Sequence, residues 1–184
     1  MRLSNRWWSY RAACALFALL AGLVLAGPAS AKTKTLTVVN DTAIPIFPST
    51  TAESVIQFPK KGKIKDLNMS VRADVNTDTT GLTLITSKPS STFVVVLGIG
   101  AAPAGTAFGS GACGSNEATN FDDGAAPIFT ASPPFVGSFA PDGPLNANMK
   151  GRPSKQSFTL EVFTNEGTGM LYCWGLEIKY KPKS

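Results

Sequence analysis

Apolar and polar residues alternate along this chain with a period of two. Leu67, Met69, Val71, Ala73 and Val75 alternate with Asn68, Ser70, Arg72 and Asp74, as in a strand with one buried and one wet face. Residues 35–39, 54–58, 82–86, 92–97, 158–164 and 170–179 read as further strands. The unbroken apolar run 94–97 predicts a strand buried on both faces. Gly, Pro, Ser, Asn and Asp punctuate these runs at 76–81, 87–91, 98–114, 140–148 and 165–169. No stretch beyond residue 31 carries an apolar stripe of helical period. Short strands separated by such turns predict an all-β sandwich or barrel. The stretch 98–114 is long for a sandwich loop, so it is either mobile or held by Cys113.

The first 31 residues follow another rule. Arg2, Arg6 and Arg11 precede an apolar run at 12–26, and Pro28-Ala29-Ser30-Ala31 ends it with small residues. This is the three-part pattern of a secretory signal peptide, with cleavage expected after Ala31. The run falls short of the roughly 20 residues that cross a bilayer, so no stable membrane anchor is expected. Cys14 precedes the run, which argues against a lipid-modified cysteine. The expected location is secreted or periplasmic. The 153 residues from 32 to 184 then suit one domain, without internal repeat or linker.

Removing the leader changes the charge. Three of the 17 Lys and Arg precede residue 32 and none of the 12 Asp and Glu do, leaving 14 against 12 and a net charge of +2. So mild an excess gives no warrant for nucleic-acid binding. Lys60, Lys61, Lys63 and Lys65 cluster, as do Lys179, Lys181 and Lys183; their spacing fits the solvent face of a strand. Of the three cysteines, Cys113 and Cys173 remain. Export favours a disulfide over two separate buried thiols. Such a bridge would close a loop of about 60 residues and contribute roughly 3–4 kcal/mol by the chain-entropy model.

The stretch 120–178 adds specificity. It carries Phe121-Asp122-Asp123, Pro134-Phe135, Gly137, Phe139, Pro141 and Gly143-Pro144-Leu145. Gly151, Phe158-Thr159-Leu160, Thr168-Gly169, Leu171, Trp174 and Leu176-Glu177-Ile178 follow in order. Together with Val71–Val75 and Gly81-Leu82-Thr83-Leu84, these residues resemble the P domain, or P/Homo B domain. That domain follows the catalytic domain in kexin- and furin-like proprotein convertases and in many secreted bacterial subtilisin-like proteases. The resemblance implies a jelly-roll-like β-sandwich of about eight strands. It also implies a domain that packs on a protease catalytic domain and supports its folding. The departures are the absence of His, Gly81 where the family often has Asp, Phe158 where it often has Trp, and Cys173 where Ser or Asn is common.

Chemistry is sparse. With no His in the chain, a Ser-His-Asp or Cys-His system cannot be built from it, nor can a His-rich zinc site. GIGAAPAG at 98–105 has no helix after it and reads as a loop. Asp122 and Asp123 are neighbours and would point to opposite sides of a strand, a poor acid–base pair. The chain is not expected to be an enzyme. Asn116, Glu117, Asn120, Asp122 and Asp123 place five oxygen-bearing side chains in what reads as an irregular loop, of the hard-donor type that calcium takes. The alternative is that Asp122 or Asp123 accepts backbone amide hydrogens and pins the corner. Tyr172, Trp174 and Tyr180 share a parity on one strand. Trp174 is most simply core packing, but exposed together the three would form a sugar-binding platform. Two functions therefore compete: a non-catalytic partner of a secreted serine protease or other exported protein, and a surface adhesin or carbohydrate-binding module.

Overall fold

The alternating stretch around Met69 forms one of the two longest strands of the protein, and the rest of the architecture is laid beside it. The computed structural model describes residues 32–75, 80–86, 91–100 and 107–183. The expected signal peptide lies outside the described residues, as do parts of the turns 76–81 and 87–91 and of the loop 98–114. In chain order the strands are β1 (Lys34–Asn40), β2 (Ile44–Ile46), β3 (Thr50–Gln57), β4 (Gly62–Val75), β5 (Thr80–Thr86) and β6 (Thr92–Leu97). They continue with β7 (Ala107–Phe108), β8 (Thr119–Pro127), β9 (Gly137–Ala140), a short helix α1 (Leu145–Met149), β10 (Ser157–Thr164) and β11 (Gly169–Pro182). Eight of these eleven strands carry six residues or more, which matches the expected number; β2, β7 and β9 are too short to leave a pattern in the sequence.

Two sheets result. One has seven strands in the order β1-β11-β4-β8-β9, with β2 added to β11 and β7 to β4; the other has four, β3-β10-β5-β6. The chain passes repeatedly from one sheet to the other, so sequence neighbours such as β3 and β4 lie in different layers, as in a jelly-roll-type sandwich. The inward positions of both sheets fill the space between: Met69 and Val71 from β4, Trp174, Leu176 and Ile178 from β11, and Phe158, Leu160 and Val162 from β10 are all buried. Phe58 meets Tyr180 edge-on at 5.8 Å.

One polar contact inside this core ties the layers together. The buried Trp174 Nε1 donates to Ser54 Oγ at 2.8 Å, and Asn40 Nδ2 donates to the same oxygen at 3.0 Å. Ser54→Ala would strand the indole N–H. We expect a loss of about 2 kcal/mol and a melting temperature lower by about 6 °C; an unchanged thermal transition would mean that the indole has another partner.

Three local expectations are corrected. Residues 94–97 are not buried on both faces: Val95 is 39% and Phe93 72% exposed, because β6 is the edge of its sheet and packs through one face only. The acidic stretch is an irregular loop only at Asn116 and Glu117; Asn120, Asp122 and Asp123 lie on strand β8, whose Thr119 and Phe121 turn inward and are buried. A helix is present where none was expected. At five residues, with only Leu145 and Met149 buried, α1 is too short to show a 3.6-residue period.

Candidate functional site

Alternation on β4 sends Met69 and Val71 into the core and leaves Asn68 and Ser70 on the opposite, outer face. Strand pairing extends this polar face sideways. Glu177 of β11 lies opposite Asn68, Asn120 of β8 opposite Ser70, and Ser138 of β9 opposite Asn120. The loop 109–118 folds over these side chains. Gly114 adopts a left-handed φ of 81° that glycine reaches without strain, and its N–H donates to Ser70 Oγ at 2.9 Å. Next to it, Cys113 is joined by a disulfide to Cys173 of β11, with a Cα–Cα distance of 6.0 Å across 60 residues of sequence. Sheet and loop enclose a polar cavity of about 180 Å³ lined by Asn68, Asn116, Asn120, Asp122, Ser138 and Glu177, among others.

The hydrogen bonds say which atoms are committed. Asn120 Nδ2 donates to the carbonyls of Ser115 and Ala118 at 3.1 and 3.2 Å, which fixes its amide and leaves Oδ1 as an acceptor. Asp122 Oδ1 accepts the Gly124 N–H at 2.9 Å. Asn68 Oδ1 is buried without a hydrogen-bond partner, an uncommon condition for a buried acceptor.

Of the five expected calcium ligands, the cavity gathers Asn116, Asn120 and Asp122; the other two serve elsewhere. Asp123 turns to the other side of β8, where Oδ1 accepts from Leu145 N at 2.7 Å and Oδ2 from Asn146 N at 2.8 Å. It therefore pins the start of α1, and Asn146 Oδ1 in turn accepts from Leu67 N at 2.8 Å, holding the helix to β4. Glu117 lies against Gly111, and its carbonyl accepts from Ser110 N and Gly111 N at 2.8 and 3.2 Å. The expected set of five is thus not assembled. Among the described residues, no group of three or more His, Cys, Asp or Glu is placed to hold a metal. Asn68, Ser138 and Glu177 enter the site in their place. Alternation marks Asn68 and Glu177 as outward, but only strand pairing brings them to Asp122.

The aromatic platform does not form. Trp174 is fully buried and Tyr180 is 6% exposed, whereas Tyr172 is 38% exposed. A register shift between Leu171 and Cys173 breaks the shared parity, since a bulge reverses which residues face the core. Tyr172 instead lies under Arg72, whose guanidinium carbon is 4.9 Å from the ring centroid.

No family model matches the chain, and no curated protein matches its sequence. Its fold is found among solved structures. A chain in the crystal structure of the Aeromonas sobria serine protease in complex with its chaperone superimposes with a TM-score of 0.51 at 11% identity. The match covers 91% of this chain and 29% of that one. The crystal structure of the serine protease of Aeromonas sobria gives a TM-score of 0.49, also at 11% identity, over 88% of this chain and 29% of that one. The present chain therefore corresponds to less than a third of the length it matches. At this identity the likeness speaks for the fold.

Proposed function

We propose that this chain is an exported, non-catalytic module of the P-domain kind that binds and stabilises a secreted serine protease. One observation carries the reading: a two-sheet sandwich with the fold of a segment from a serine protease–chaperone structure, built from a sequence without a single His. The residues that resemble the P domain support it further. Phe135 and Phe139 are buried with ring centroids 6.2 Å apart, and the Phe108 ring packs at a tilt against Phe135 at 5.7 Å, anchoring the Pro/Gly-rich segment onto the sandwich. The carbohydrate-binding alternative loses its main support with the burial of Trp174 and Tyr180.

The test is capture on the immobilised protein from the culture supernatant of the producing organism, followed by labelling of the eluate with a fluorophosphonate probe. A labelled serine hydrolase retained by the protein but not by bare resin is the expected result. Its absence counts against the pairing, and labelling of the chain itself would overturn the non-catalytic reading.

In this reading calcium is a ligand of the outer cavity and has no catalytic part. The carboxylates of Asp122 and Glu177, with the amide oxygens of Asn68, Asn116 and Asn120, are donors of the hard type that calcium prefers. Calcium at about 1 mM is expected to raise the melting temperature by a few degrees. Glu177→Gln should remove the shift while Glu117→Gln keeps it. Equal shifts in both variants, or none in the unaltered protein, would reject the site.

A further inference from the structure

Lysines scattered in the sequence meet at one end of the sandwich. Antiparallel pairing sets the start of β1 and the start of β4 beside the end of β11, as Lys34 faces Tyr180 and Lys63 faces Lys181. The segment 150–155 is stitched onto the same end. Gly151 N donates to Ile64 O at 2.8 Å, Ile64 N to Arg152 O at 2.9 Å, Ser154 N to Gly62 O at 3.0 Å, and the buried Ser154 donates its Oγ hydrogen to Lys60 O at 2.7 Å. These four segments hold 12 of the 14 cations after residue 31, all but Arg72 and Lys88. A net charge of only +2 therefore conceals a strongly basic pole.

That pole contains a groove of about 560 Å³ lined by Lys61, Lys63, Lys155, Lys181 and Lys183, with Gly62, Pro153 and Pro182 between them. Among the described residues, no Asp or Glu lines it. The backbone builds it deliberately: a side chain at Gly62 would collide with the Lys181 carbonyl, so the two strand ends close up only around glycine. The lysines that line the groove give it a positive surface that suits an anionic partner.

We propose that this groove is a docking site for an acidic, extended segment of a partner protein. Charge complementarity sets the sign of the occupant. The apolar floor made by Pro153, Pro182 and the lysine stems selects a polypeptide, whose apolar side chains can lie between its carboxylates; a sulfated sugar or a phosphate has no use for that floor. The groove lies apart from the outer cavity and shares no residue with it. The proposal does not depend on the partner being a protease.

The probe is a fluorescein-labelled peptide of alternating Glu and Leu, about 10 residues long, titrated with the purified protein and read by fluorescence anisotropy. Binding is expected to weaken about tenfold between about 50 and about 300 mM NaCl. The double variant Lys63→Gln/Lys155→Gln should weaken it about tenfold at low salt with no change in thermal transition, and Arg72→Gln should leave it unaltered. The same peptide with Gln for Glu should not bind. No binding of the acidic peptide, binding indifferent to the lysine substitutions, or binding of heparin or phosphatidylglycerol vesicles in its place would each overturn the proposal.

Discussion

Replacing both Cys113 and Cys173 by serine is expected to lower the melting temperature by about 10 °C. The bridge joins residues 60 apart in sequence, so its removal lets the unfolded chain recover the entropy of an open loop, about 4 kcal/mol by the chain-entropy relation. For a domain of this size each kcal/mol moves the transition by about 2–4 °C. Reduction of the unaltered protein should reproduce the shift, and reductant should have no effect on the double variant. The loop 109–118 retains the Gly114 N–Ser70 Oγ bond and the bonds from Ser110 N and Gly111 N to the Glu117 carbonyl. The reduced protein should therefore keep its far-ultraviolet circular dichroism while losing stability. Coincident transitions for oxidised and reduced protein would show that the bridge contributes nothing.

The second large effect separates two adjacent aspartates. Asp123→Ala removes both acceptors that satisfy the first N–H groups of α1, at Leu145 and Asn146. Hydrogen bonds to a charged acceptor contribute about 1.5–3 kcal/mol, and the helix also loses a negative charge at its N-terminal end. A loss of about 3 kcal/mol and about 8 °C is expected, with Asp123→Asn intermediate because it keeps one acceptor. Asp122→Ala gives up only the bond from Gly124 N, which is exposed to water that can replace it, and should cost about 1 kcal/mol or less. Denaturant unfolding of the three variants measures the order; equal losses at Asp122 and Asp123 would contradict the assignment of Asp123 to α1.

All seven strands read from the sequence are present, because period-two alternation over a half-buried sheet leaves a mark in any single stretch. The seven-residue β1 and the fourteen-residue β11 were found this way, each extended by a few residues at its ends. What escaped was of two kinds. The two-residue β7, the three-residue β2, the four-residue β9 and the five-residue α1 are shorter than any period that could reveal them. Strand β8 hides its alternation behind Asp122-Asp123-Gly124, where the polar residues serve the outer face and the helix cap at once.

The candidate site was legible only in part. Asn116, Asn120 and Asp122 were within reach because they are neighbours in sequence. Glu177 and Asn68 were not, since they come from strands 109 residues apart whose pairing the sequence does not state. The lysines show the same division: each cluster looks like an ordinary wet strand face until antiparallel pairing places three chain segments and a loop at one end.

The sequence by itself determined the all-β class, the two cysteines available for a bridge, the absence of histidine chemistry and the inward face of most strands. Each of these is a matter of composition or short-range periodicity. Tertiary structure alone decided that Asp123 caps a helix while Asp122 faces a cavity, that Tyr172 parts from Trp174 at a bulge, and that a nearly neutral domain has a basic pole. Those facts depend on strand register and on which sheet a strand joins, and long-range pairing fixes both.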